Sequence, residues 1–109
     1  LNASSDMLGA QEETFGPVAP LIPFDTEEEV LTQANSTPFG LASYFYTRDV
    51  SRVMRVAEKL EFGIIGANDA LPSTAQAPFG GVKQSGLGRE GGAVGIDEYL
   101  EVKYLSLGL

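Results

Sequence analysis

Residues 69–95 run DALPSTAQAPFGGVKQSGLGREGGAVG, and seven of the chain's thirteen glycines fall between Gly80 and Gly95. Each glycine disfavours a helix interior by about 1 kcal/mol against alanine. No alternation of polar and apolar residues marks a strand there either. Regular structure is therefore pushed into the segments on either side. A loop of this length in a compact domain is usually functional or disordered. What frames it, and what it carries, decides the reading.

Before the loop, helical and extended patterns alternate. Residues 18–24, VAPLIPF, are apolar but contain Pro20 and Pro23, which limits them to an edge strand or a short extended piece. Thr26 and Glu29 have capping-box spacing, and Glu27, Glu28 and Glu29 suit the positive end of a helix. Asn35, Pro38 and Gly40 end that helix. LASYFYT, 41–47, is apolar on both faces, as a buried strand is. Asp49 then caps an amphipathic helix whose inward stripe is expected to be Val50, Val53, Met54, Ala57 and Leu60, with Met54 as core filling. FGIIGAN, 62–68, is a further strand. After the loop, IDEYL resumes helical spacing and EVKYLSL reads as a last strand, with Val102, Tyr104 and Ser106 on one face and Leu105 and Leu107 on the other. The order predicts an α/β layer with a largely parallel sheet flanked by helices.

Within the loop, GLGREG at 86–91 has the G-x-G-x-x-G spacing of a dinucleotide-binding turn. That turn needs a strand before it, a helix opening inside it, and an acid about 20 residues on. GGVKQS before it does not read as a strand, GGAVG after it is a poor helix former, and Asp97 and Glu101 come too early. The glycines are better explained as points where backbone passes close to backbone, with Arg89 and Glu90 in local ion pairs.

Composition narrows the function. A net charge of -8 argues against nucleic acid and anionic membrane surfaces. The chain has no cysteine and no histidine, so it offers no thiol nucleophile, no thiolate metal site and no imidazole base. No apolar run approaches the ~20 residues of a membrane span, and no secretory signal pattern is visible, which makes the cytoplasm the default location. The opening LNASSDMLGAQEETFGP has no initiator Met and no cap that would start an element, the pattern of a chain entered partway through.

Two stretches can carry chemistry. In EETFGP, 12–17, a carboxylate held at a turn can accept hydrogen bonds from ligand hydroxyls while the neighbouring ring covers a flat heterocycle. The competing reading is a solvated turn. In PSTAQAPFGG, 72–81, small hydroxyls beside an aromatic ring could line a pocket or simply form a surface loop.

EETFGPVAPLIPF, FGLASYFYTRD, PFGGVKQSGLGRE and GIDEYLEVKY, in this order, resemble the C-terminal end of aldehyde dehydrogenases over nearly the whole chain. Within that family the likeness is greatest to succinate-semialdehyde dehydrogenases, although Val94 stands where tyrosine is more usual. The resemblance implies oxidation of an aldehyde to a carboxylate with NAD or NADP. In that chemistry a cysteine attacks the aldehyde, hydride passes to the nicotinamide, and a glutamate activates water to cleave the thioester. Both of those residues are expected upstream, so this chain alone is expected to be inactive. By the same likeness, Glu13 binds the nicotinamide ribose hydroxyls and Phe15 packs beside the nicotinamide. Ser73 meets the substrate's distal carboxylate and Phe79 lines the substrate tunnel. Residues 1–100 would complete the catalytic domain. Residues 101–109 would form an oligomerisation strand that joins a neighbouring subunit's sheet to build a homo-oligomer. Alternatives are an enzyme for another aldehyde, such as glutarate semialdehyde or a betaine-type aldehyde, and a non-catalytic assembly module.

Overall fold

The computed structural model describes residues 2–13 and 15–109; Thr14, inside the EETFGP stretch, and Leu1 lie outside the described residues. The first element is a single helical turn, α1 (Leu8–Gln11), in a segment where the sequence shows no starting cap. Its N-cap, Met7, indeed makes no side-chain cap bond; the turn is closed by backbone alone, with Glu12 N–H donating to Leu8 C=O. Residues 18–24 contribute only an isolated parallel bridge from Leu21 to Asn2, consistent with the two prolines.

Helix α2 (Glu27–Asn35) starts as its capping residues dictate. Glu29 N–H donates to Thr26 Oγ1 at 3.1 Å, and Glu29 Oε2 accepts from Asp25 N–H at 2.9 Å. The chain then forms two short strands separated at Leu41, β1 (Phe39–Gly40) and β2 (Ala42–Phe45). Asp49 Oδ1 accepts from Ser51 and Arg52 N–H and so begins α3 (Val50–Lys59). Next come β3 (Ile64–Ala67) and β4 (Val82–Lys83), then a 3-10 helix over Val94–Tyr99.

β2 and β3 pair in parallel across α3, from Ala42 opposite Ile64 to Phe45 opposite Ala67. This is the β-α-β unit that the sequence pattern predicts. Asn68 lengthens the pairing: its side-chain amide donates to Thr47 C=O and accepts from Thr47 N–H, both at 2.8 Å. The second sheet departs from expectation. β1 pairs with β4 antiparallel, Phe39 opposite Lys83 and Gly40 opposite Val82. GGVKQS therefore does contain a strand, of two residues, which pairing with a distant partner creates and local propensity does not.

Two side chains form the hydrophobic core, Leu31 at 7% and Val56 at 8% exposure. The other buried residues among those described are Gly40, Gly66 and Gly81. The interior is thus largely backbone against backbone. A Cβ at Gly63 would overlap the Gly80 carbonyl oxygen, and one at Gly66 the Asp69 carbonyl oxygen. The inward stripe of α3 is rotated from the expected one: Val56 sits at its centre with Val53, Ala57 and Leu60 half-buried, while Val50 and Met54 face outward. Met54 is 59% exposed and fills no core here. On the neighbouring face Arg52 and Arg55 pair with Glu27 of α2. β2 is likewise not covered on both faces, since Tyr44 is exposed and the sheet has only two strands.

The chain is extended for its mass. Its radius of gyration is 18.4 Å, against about 13 Å for a compact domain of this length. Its accessible surface is 9007 Å², against about 5,800 Å² for a compact monomer. Residues 100–109 contribute strongly, with Val102, Tyr104, Leu105, Leu107 and Leu109 all exposed. No strand forms in this tail within the chain; EVKYLSL has no partner strand among the described residues.

Candidate functional site

The glycine-rich loop is fixed by a few bonds rather than by regular structure. Phe79 and Glu90 form an isolated antiparallel bridge, exchanging backbone hydrogen bonds at 2.7 Å in both directions. Arg89 Nη1 donates to the carbonyls of Gly81 and Gly88, each at 2.7 Å, and Arg89 N–H donates to Glu98 Oε1 at 3.2 Å. The expected local ion pairs of Arg89 and Glu90 are replaced by these bonds. A planar guanidinium with several donors serves bare carbonyls well where the backbone lacks a ladder partner.

Within this frame GLGREG adopts no helix-opening turn. Gly86, Gly88 and Gly91 have φ of 107°, 84° and 67°, a conformation that glycine adopts without a Cβ penalty. The segment that follows is the 3-10 helix, which begins only at Val94. The motif acts as a connector.

Two hollows adjoin along this loop. One, of about 490 Å³, is lined by Glu12, Glu13, Phe39, Leu41, Phe62 and Ser85 among others. The other, of about 580 Å³, is lined by Leu41, Phe79, Ser85, Leu87, Glu98 and Tyr99 among others. Leu41 and Ser85 belong to both walls. Ser85 is held there by accepting a hydrogen bond from Gly40 N–H at 2.9 Å. Of the four residues singled out from the sequence, Glu13 lines the first hollow and Phe79 the second. Phe79 is 37% exposed, and Glu13 is exposed at the rim. Phe15 is 91% exposed and Ser73 is exposed, and both lie outside the two hollows. Nothing in the local sequence singles out Leu41 and Ser85, because they meet only through residues some forty positions apart.

An exposed carboxylate can accept both hydrogen bonds of a ribose diol, and an uncovered ring can cover a nicotinamide face. Glu13 and Phe15 present those groups two residues apart. Among the described residues, no group of three or more histidine, cysteine, aspartate or glutamate side chains is placed to hold a metal ion.

The family model for the aldehyde dehydrogenase family matches residues 1–105. The chain belongs to the aldehyde dehydrogenase family. It is 60% identical to 3-sulfolactaldehyde dehydrogenase of Pseudomonas putida, covering 96% of this chain and 22% of that one. It is 59% identical to the mitochondrial succinate-semialdehyde dehydrogenase of Homo sapiens, covering 98% of this chain and 20% of that one. Among solved structures, the NAD+ complex of aldehyde dehydrogenase from Bacillus cereus superposes with a TM-score of 0.89 at 46% identity, over 93% of this chain and 21% of that one. The chain therefore spans about a fifth of the length of the curated relatives it matches.

Proposed function

We propose that this chain is the C-terminal part of an NAD(P)-dependent aldehyde dehydrogenase subunit that oxidises succinate semialdehyde to succinate. The observation that carries the reading is the shared wall of Leu41 and Ser85 between the hollow bearing Glu13 and the hollow bearing Phe79. A cofactor ribose held by Glu13 and an aldehyde held by Phe79 would lie in adjoining hollows that meet at Leu41 and Ser85. Bound NAD or NADP would supply the hydride acceptor. Glu13 then accepts from the ribose hydroxyls, Phe15 covers the nicotinamide, Phe79 excludes water from the aldehyde, and the Ser73 hydroxyl donates to the distal carboxylate. The cysteine nucleophile and the glutamate base come from outside this chain, which holds no cysteine.

The substrate class rests on likeness. The two curated relatives are named for succinate semialdehyde and 3-sulfolactaldehyde. Both are short aldehydes with an anionic group at the far end. The test is NAD and NADP reduction by the full-length protein with succinate semialdehyde, glutarate semialdehyde and betaine aldehyde. Succinate semialdehyde is expected to lead betaine aldehyde in kcat/KM by about tenfold or more, because a site built for an anion leaves its donors unpaired with a cation. The reverse order would remove the anionic substrate class. No reduction with any aldehyde would remove the enzyme reading.

Residues 1–100 complete the catalytic domain in this reading, and 101–109 pair with a neighbouring subunit's sheet in a homo-oligomer. The apolar tail side chains, exposed on both faces, support it. Deleting 101–109 from the full-length protein should give a smaller assembly by sedimentation, and an unchanged assembly would refute the pairing. The proposed compartment is the cytoplasm, although the human relative is mitochondrial by name. No helix among the described residues is long and apolar enough to cross a membrane.

A further inference from the structure

Two residues other than glycine take positive φ among those described, Asn68 at 56° and Lys83 at 54°. Asparagine tolerates this conformation, whereas a long side chain is crowded against its own backbone. From Gly80 to Gly95 every other residue of this kind is a glycine: Gly86, Gly88, Gly91 and Gly92. A lysine at such a position calls for a reason in its side chain.

That side chain crosses to three partners. Lys83 Nζ donates to Asn35 C=O at 2.9 Å and to Thr37 C=O at 3.3 Å, and pairs with Glu61 Oε2 at 2.6 Å. Asn35 ends α2, where carbonyls lack helical partners. The Asn35 side chain in turn donates to Lys59 C=O at 2.8 Å and accepts from Glu61 N–H at 2.9 Å. The ammonium thus ties the end of α2, the end of α3 and β4 at one point.

The same residue begins the turn that carries Ser85. Ser85 N–H donates to Val82 C=O at 3.1 Å, Gly86 N–H to Lys83 C=O at 3.3 Å, and Gln84 N–H to Pro38 C=O at 2.9 Å. Displacing Lys83 moves this turn, and with it the hydroxyl that sits in both hollows.

We propose that Lys83 is a positioning residue, whose ammonium holds the Val82–Gly86 turn so that Ser85 stays at the junction of the Glu13 and Phe79 hollows. The proposal rests on the reading of those hollows as cofactor and aldehyde sides of one site. Its test uses Lys83→Met, Lys83→Gly and Lys83→Arg in the full-length protein. Lys83→Gly removes the ammonium and also relieves the backbone, so it should melt above Lys83→Met. Both should nevertheless raise KM for the aldehyde and for NAD(P) by about three- to tenfold, and Lys83→Arg should stay nearer to wild type. A Lys83→Gly enzyme with wild-type KM for both would overturn the proposal. Amide hydrogen exchange of Gln84, Ser85 and Gly86 gives a readout independent of activity, and should quicken in the Met and Gly variants. Unchanged exchange would sink the lock even where KM moves. Should the wild-type protein oxidise no aldehyde, the functional reading fails, and exchange alone decides the lock.

Discussion

Glu13 and Ser73 illustrate how little a side chain's identity says without its neighbours. Glu13 is an exposed acid on a turn, and its interest comes from the hollow it rims with Phe39, Leu41 and Ser85. In the full-length protein, Glu13→Gln should weaken NAD(P) binding or slow hydride transfer by about 10- to 150-fold, the equivalent of ~1.5–3 kcal/mol for a charged hydrogen bond. Steady-state kinetics with varied cofactor checks this, and unchanged constants would leave Glu13 a surface acid. Ser73→Ala should raise KM for a carboxylate-bearing aldehyde far more than for a neutral one; equal effects on both would remove Ser73 as the anion's partner. The EETFGP stretch drew notice from adjacent residue types alone. Lys83 did not, because its partners Asn35 and Glu61 lie far from it in sequence, and only their contact reveals its role.

Among the elements, the helices were legible and the strands only partly. Thr26 and Asp49 start α2 and α3 through bonds to residues two or three positions on, and such bonds follow from spacing alone. The inward face of α3 did not follow: it is set by packing against distant segments, beside which Arg52 and Arg55 bind Glu27 on another helix. This junction is sensitive to acid. The hydrogen bond from Arg55, followed by the bond from Arg52, lowers the Glu27 carboxyl from 4.5 to about 2. Because the folded value is depressed, the stabilisation is complete above 4.5 and is lost as pH falls toward 2. Glu27→Gln should therefore be less stable than wild type near neutrality, and the gap should close across that window in acid-unfolding curves. The packing of β3 against the loop is sterically tighter. Gly63→Ala would place a methyl on the Gly80 carbonyl, which has no flexible side chain to yield, and should cost about 3 kcal/mol or more. Gly9→Ala, within α1 and with open space around it, is the control expected to leave the melting temperature unchanged or slightly raised.

The molecule as a whole exposes roughly 3,000 Å² more surface than a compact monomer of its mass. Leu31 and Val56 cannot anchor the rest, and aromatic and aliphatic side chains from Phe15 to Leu109 stand in solvent. The isolated 109-residue chain should accordingly bind a hydrophobic dye and self-associate. A monodisperse monomer with no dye binding, measured by sedimentation and fluorescence, would contradict this. Sequence sufficed for the caps of α2 and α3, the parallel β2–α3–β3 unit and the family likeness. Contacts between distant segments settled the remainder. They created β4 by pairing it with β1, turned α3 so that Met54 faces outward, set Glu13 and Phe79 in adjoining hollows, and left the C-terminal segment without a partner strand among the described residues. Local energies are written in residue order. A contact between positions forty residues apart exists only once the intervening chain has folded back.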